Sequence, residues 1–207
     1  MLARIIRCAL LTITFTLVLP AHGLDAPLTD PDTQQAAWRV DATHSMVLFR
    51  VRHHVGAFWG RFNDVKGTAD LSIDGNTLKG MALDISVPIA SVDCGNDSLD
   101  RHLRSPDFFN EVEFPAMTFK STSATPAGGK NWTVKGDLTL LGVTKPIEAQ
   151  VEYLGTATSR RGAVAGLEAR FSIKRSEFGM TYGVEQGSLG DTVRLVVGLE
   201  VNKPKDG

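Results

Sequence analysis

Asp41, His44 and Ser45 stand close together in the chain and are the residue types of an acid, a base and a nucleophile. They lack the Gly-x-Ser-x-Gly turn that would expose a reactive serine. Asp and Ser at such spacing commonly bond nearby backbone, so they are read as fixing the start of a strand. His53, His54, His102 and Cys94 have metal-ligand chemistry but no zinc-type spacing. Neighbours on a strand point to opposite faces, which would keep His53 and His54 from sharing an ion. No metal site and no catalytic residue is assigned. His53 with His102 or Asp100 is the only acid–base set that an enzyme could draw on here. Arg175 shares the parity of Phe171 and Ile173 and is expected to point inward. A buried Arg needs a partner. Glu177 or Asp100 is the expected one, and a pyrophosphate, for which Arg is well shaped, is the alternative.

The elements that would position these groups are strands. Apolar residues alternate with polar ones in eight stretches, the clearest being Val193, Leu195, Val197, Leu199 and Val201. The others run through Val47–Val51, Ala69–Ile73, Met81–Val87, Met117–Phe119, Trp132–Leu140, Ile147–Tyr153 and Ala163–Ile173. Strict period-two alternation marks strands with one wet and one dry face. The fold class is therefore all-β, an eight-stranded antiparallel barrel, since closure leaves no exposed edge. Asp74-Gly75-Asn76 reads as a hairpin, and Gly56 and Gly60 as bracketing a turn around Phe58-Trp59. Residues 96–105 break the pattern. Asn96-Asp97-Ser98 offers a helix cap, Leu99 and Leu103 share one face, and Asp100 and Arg104 pair on another. This short helix, stopped by Pro106, is placed as a cap over one end of the barrel. Gly179–Gly190 is a long Gly-rich loop, read as a rim.

Residues 1–23 read as a secretory signal: Arg4 and Arg7, an apolar run from Cys8 to Leu19, and a small-x-small site ending at Gly23. The run is shorter than the roughly 20 residues a spanning helix needs, so no transmembrane segment is expected after cleavage. Residues 24–37 read as a flexible leader and 38–204 as the barrel. The full chain carries 22 basic and 23 acidic residues; losing Arg4 and Arg7 leaves 20 against 23, a net charge of −3. That balance argues against nucleic acid, which wants a basic surface. Cys94 would be left as a lone thiol, read as a buried small residue, and cannot form an internal disulfide.

An eight-stranded barrel can pack its own side chains or hold one small ligand. The dry face includes Ala69, Gly136, Ala149, Ala163, Ala165 and Ala169. Small residues there leave volume that costs stability unless filled, or they face large rings and leave none. Both readings stand at this point.

Six blocks, in order, resemble the YceI-like, polyisoprenoid-binding family. They are Trp38–Ser45 with its Asp-x-x-His-Ser, Phe49-Arg50-Val51-Arg52-His53, Gly60-Arg61-Phe62, Asp100–Phe109, Gly136–Pro146 and Arg175-Ser176-Glu177-Phe178-Gly179. The resemblance implies a lipocalin-like barrel, periplasmic or secreted, that carries an amphiphile such as a polyprenyl phosphate, a quinone or a fatty molecule and performs no chemistry. It implies no cofactor beyond the lipid itself. Parity then gives an expected ligand-lining set: Phe49, Val51, His53, Leu83, Ile85, Phe119, Leu138, Leu140, Phe171, Ile173 and Arg175. Leu103, Phe108 and Phe109 join it from the helix and the turn after it. A scaffold for a membrane redox or stress-response system is the alternative function, and an isoprenoid-directed enzyme a further one. A homodimer is left open.

Overall fold

The computed structural model describes residues 38–160 and 162–204; the signal and leader assignments lie outside these residues. The strands are β1 (Trp38–Val40), β2 (Met46–His53), β3 (Gly56–Phe62), β4 (Lys66–Asp74), β5 (Thr77–Pro88), β6 (Val92–Asp93), β7 (Ala116–Gly128), β8 (Asn131–Leu140), β9 (Val143–Ser159), β10 (Gly162–Lys174) and β11 (Leu189–Pro204). One helix, α1 (Asp97–Arg104), lies between β6 and β7.

All neighbouring strands pair antiparallel, in the order β1-β4-β5-β7-β8-β9-β10-β11, and β11 returns to pair with β1. Eight strands thus form a ring, closed at β1, which spans the gap between β4 and β11 over two residues on each side. The expected count of eight is met with different members. The ring includes the three-residue β1, which the sequence pattern did not mark, while β2 extends along the far half of β11 and carries β3 and β6 outside the ring. The turn expected around Phe58-Trp59 is instead the middle of β3. The chain reverses at His54-Val55, where His54 has φ of 47°. Gly60 sits within that strand because the Phe49 ring occupies the space where its Cβ would be.

Alternation sorts the side chains as expected. Val47, Leu71, Leu83, Ile85, Val134, Leu138, Val151, Leu167, Leu199 and Val201 are all buried. The helix forms where its cap was placed: Asn96 Oδ1 accepts from Ser98 N at 3.0 Å and Leu99 N at 3.1 Å. The Asp100–Arg104 pair does not form. Asp100 accepts from Cys94 N at 2.8 Å and Arg104 lies 3.5 Å from Glu111, because the turns after the helix bring Glu111 N to Arg104 O.

Asp41, His44 and Ser45 do what local bonding predicts. Asp41 accepts from Thr43 N at 2.9 Å and from Asn202 Nδ2 at 3.0 Å, and His44 Nδ1 lies 3.1 Å from its carboxylate. Ser45 Oγ, almost fully buried, accepts from Glu200 N at 3.0 Å. The corner between β1 and β2 is thereby fixed to β11. Asp41, His44 and Glu200 are also the described ligand-type residues that converge, within 4.8 Å of one another, but the corner accounts for their placement. The His44 contact, then Asn202 and the Thr43 amide, outweigh partial burial and hold the Asp41 carboxyl at about 2, against an ordinary 3.8.

Two predictions follow from this packing. Folding lowers the pKa of Asp41, so its contribution is complete above about pH 4 and is lost as pH falls toward 2. Asp41→Asn should lower the melting temperature at neutral pH and make the loss of stability in that acid window shallower; an unchanged acid limb in thermal melts would remove Asp41 from the account. At Gly136 a Cβ would meet the Phe119 ring and Lys120 O at 2.5 Å, so Gly136→Ala should cost about 1–3 kcal/mol by overpacking, measured by urea denaturation.

Candidate functional site

The ring is not filled. A cavity of about 430 Å³ opens at the end of the molecule where α1 lies, and a second, smaller apolar space of about 90 Å³ adjoins it. Met117, Leu140, Ile173 and Leu195 border both spaces. The outer cavity takes Phe49, Val51 and His53 from β2, Phe58 and Phe62 from β3, and Leu99, His102 and Leu103 from α1. Phe108 and Phe109 come from the turn after the helix, Met180 and Tyr182 from the rim loop, and Leu189 from the first residue of β11. The inner space is lined by Leu83, Ile85, Phe119, Val134, Leu138, Ala149, Val151, Ala169, Phe171 and others of the same faces.

Every member of the expected lining set borders one space or the other. Phe49, Val51, His53, Leu103, Phe108, Phe109 and Arg175 stand on the outer cavity; Leu83, Ile85, Phe119, Leu138 and Phe171 stand on the inner chamber; Leu140 and Ile173 touch both. The small residues divide. Ala149 and Ala169 do border empty space, whereas Gly136 makes room for the Phe119 ring. Ala165 and Ala69 are fully buried in the closed part of the ring and border neither space.

Ring contacts build the mouth. Phe49 stacks tilted on Phe62 at 5.7 Å, and Phe109 meets Phe62 edge-on at 5.3 Å. Phe108 and Tyr182 approach at 5.0 Å, and His102 stands edge-on to both, at 5.0 Å and 5.3 Å. Helix, post-helix turn and rim loop are thus joined by aromatic edges. The polar groups are few. His102 Nε2 lies 3.1 Å from Asp107 Oδ2. His53 lies at the end of β2, and its ring is 4.5 Å from that of His54. That proximity reverses the expectation that the two rings point apart: His54 is no longer on the strand but in the left-handed turn after it.

Arg175 is 3 % exposed, as its parity suggested, but neither Glu177 nor Asp100 pairs with it. Its Nε donates to Gly190 O at 2.9 Å, Nη1 to Met180 O at 3.2 Å and Nη2 to Tyr182 O at 2.7 Å. Burial works against its charge and Asp191 works for it, so its pKa is lowered on balance. Asp191 in turn accepts from Ser176 N and Ser176 Oγ, both at 2.9 Å. One guanidinium therefore gathers the carbonyls of the rim loop and sets Met180 and Tyr182 against the cavity. The sequence reading missed Phe58, Phe62, Met180, Tyr182 and Leu189 as lining residues. Phe58 and Phe62 were recoverable from their alternation with Trp59 and Arg61. The loop residues had no periodic signal. Cys94 is half-buried, and desolvation, then Asp100, pushes its thiol up to about 12, which leaves it unreactive at neutral pH.

The chain matches known proteins over the same span. Residues 38–201 match the family model described as the YceI-like domain. Protein YceI of Salmonella enteritidis PT4 is 33% identical over 170 residues, which cover 80% of this chain and 86% of the relative. Among solved structures, the Campylobacter jejuni YCEI protein superposes with a TM-score of 0.63 at 30% identity, over 70% of this chain and 85% of that one. Burkholderia cenocepacia BcnA gives 0.66 at 23%, over 78% and 98%. A polyisoprenoid-binding domain from Saccharophagus degradans gives 0.64 at 19%, over 82% and 99%. The six sequence blocks and the helix all lie within residues 38–201, the span of that match, and this chain belongs to the YceI-like domain family.

Proposed function

We propose that this protein binds one long-chain amphiphile, with the tail in the two adjoining chambers and the polar end at the mouth, and that it catalyses no reaction. The observation that carries this reading is a pair of adjoining apolar spaces inside one closed ring, which share the walls made by Met117, Leu140, Ile173 and Leu195. An empty apolar space of this size lowers stability, and a ligand tail restores the missing contacts. The polyisoprenoid-binding domain from Saccharophagus degradans shares the architecture and supports the choice of ligand class. Counting about 30 Å³ for a group the size of a water or a methylene, the chambers take roughly fifteen to twenty carbons. At about 0.8 kcal/mol for each buried CH₂, such a tail binds tightly with few polar contacts. His53, Tyr182 and the His102–Asp107 pair are the polar groups at the mouth, where a headgroup would be selected. A periplasmic or secreted location belongs to the same proposal, through the signal read at residues 1–23.

Affinity for a homologous series of single-chain alcohols or acids, measured by displacement of a fluorescent analogue, should rise steadily with length and flatten near that number of carbons. No dependence on chain length would remove the lumen from the account. Chemical change of the bound lipid during the assay would favour an enzyme.

Ala169→Trp should fill the inner chamber and shift the plateau to shorter chains, while Ala165→Trp, in the closed part of the ring, should destabilise by about 1–3 kcal/mol through overpacking. Phe108→Ala and Phe109→Ala should also differ. Phe109 is partly buried and stands on the almost fully buried Phe62, so its loss lowers the melting temperature, at a cost below that of truncating a fully buried Phe, about 3–5 kcal/mol. Phe108 connects α1 to Tyr182 of the rim loop, so its loss speeds ligand release more than it slows capture. Stopped-flow displacement separates the two, and equal release rates in the wild type and Phe108→Ala would leave Phe108 a packing residue only.

A further inference from the structure

The outer surface of the β2–β3 hairpin is chemically unlike the rest of the chain. From Met46 to Phe62 the hairpin contains Arg50, Arg52 and Arg61 with His53, which faces the cavity, and His54, and no acidic residue. Arg50 stands directly opposite Arg194 on β11 and opposite Trp59 on β3. Like charges directly opposite on a sheet are destabilising, and among the described residues neither Arg50 nor Arg194 has an ion pair. Arg52 spends its donors on the carbonyls of His54 and Gly187. Only Arg61 is paired, with Asp93 at 2.7 Å. Beside the arginines Trp59 is 55 % exposed, and at the hairpin tip Val55 is fully exposed. The acids at this end lie off the hairpin: Asp93, paired with Arg61, Asp97 and Asp100 on α1, Asp107 beside His102, Glu177 and Asp191 near Arg175, and Glu185 on the rim loop.

The same hairpin is one lip of the cavity. Phe58 and His53 border the mouth, and His54 N donates to Ser188 O at 2.8 Å, which joins the tip to the rim loop. We infer that the β2–β3 hairpin docks the cavity mouth onto an anionic lipid bilayer, with Val55 entering the surface and Arg50, Arg194 and Trp59 lying at headgroup level. Arg50 and Trp59 face each other three residues back from the His53–Gly56 pair that closes the hairpin, about 10 Å at strand rise, and Val55 stands beyond that pair, so the tip reaches past them toward the acyl boundary. Trp favours the interfacial layer, and Arg can hold its stem against apolar surface while its head meets a phosphate. The two unpaired arginines supply the charge complementarity that selects a bilayer bearing anionic headgroups. The inference concerns the outer face of the hairpin, so it stands or falls separately from what occupies the lumen.

Trp59 makes the test direct, because the other two tryptophans, Trp38 and Trp132, are buried. The protein as recovered after export is titrated with vesicles of phosphatidylcholine alone and with vesicles containing one quarter phosphatidylglycerol. The expected result is a blue shift of Trp59 emission, and quenching by brominated acyl chains, with the anionic vesicles only. Trp59→Phe should abolish both signals. Arg50→Gln with Arg194→Gln should weaken vesicle binding by about 30-fold, since each cation near an anionic surface is worth roughly fivefold. Val55→Asp should abolish the quenching, and neither variant should alter solution binding of the fluorescent ligand analogue. Wild-type Trp59 emission that ignores anionic vesicles overturns the inference whatever the variants do. So does an equal response to neutral vesicles, and so does the same shift produced by a soluble polyanion, which would assign the face to an acidic partner.

Discussion

Closure along β11 is the constraint on which the structure depends. This strand pairs with β10 over nearly its whole length on one edge, and on the other with β1 and then β2. A ring whose last pairing failed would expose two long backbone edges. The change of partner from β1 to β2 is the weak point, because the chain must leave the sheet and return to the same edge. Asp41 and Ser45 hold it there through Asn202 and Glu200. Once β11 is in register, the width of the lumen is written along it. Val193 borders the outer cavity, Leu195 both spaces, Val197 and Leu199 the inner chamber, and Val201 the closed floor.

The open end is assembled differently from the closed end. The floor is held by apolar side chains in ordinary strand alternation, with Tyr153, Leu167 and Val201 almost fully buried. The mouth is held by directional contacts: Arg175 on three carbonyls, Asp191 on Ser176, Asn96 on the first amides of α1, and aromatic edges between helix and loop. Such contacts fix geometry without filling volume, so the space between them remains available. A buried guanidinium bound only to carbonyls costs desolvation of its charge. Its return here is a shaped rim.

Most of the ring was legible because period-two alternation is a direct consequence of one dry face and one wet face, and β4, β5 and β7 through β11 show it plainly. The lining set was legible for the same reason: parity alone placed Phe49, Leu138 and Ile173 on the lumen. What escaped reading depended on partners distant in sequence. β1 is too short to show a period. Gly60 looked like a turn residue, yet it is small because Phe49 needs its space. Arg175 was correctly placed inside but given carboxylate partners, since nothing in the sequence reveals that the start of β11, fifteen residues on, will present Gly190 O. Ala165 and Ala169 look equivalent by parity, and only the taper of the closed ring separates them.

Native mass spectrometry of the protein purified from its own host tests the central claim most directly. The account predicts a one-to-one complex with a single-chain amphiphile that survives gentle desorption, and its extraction should lower the melting temperature by uncovering the apolar chambers. A protein that leaves its host with no lipid, accepts none of the length series, and melts at the same temperature before and after organic extraction would contradict it.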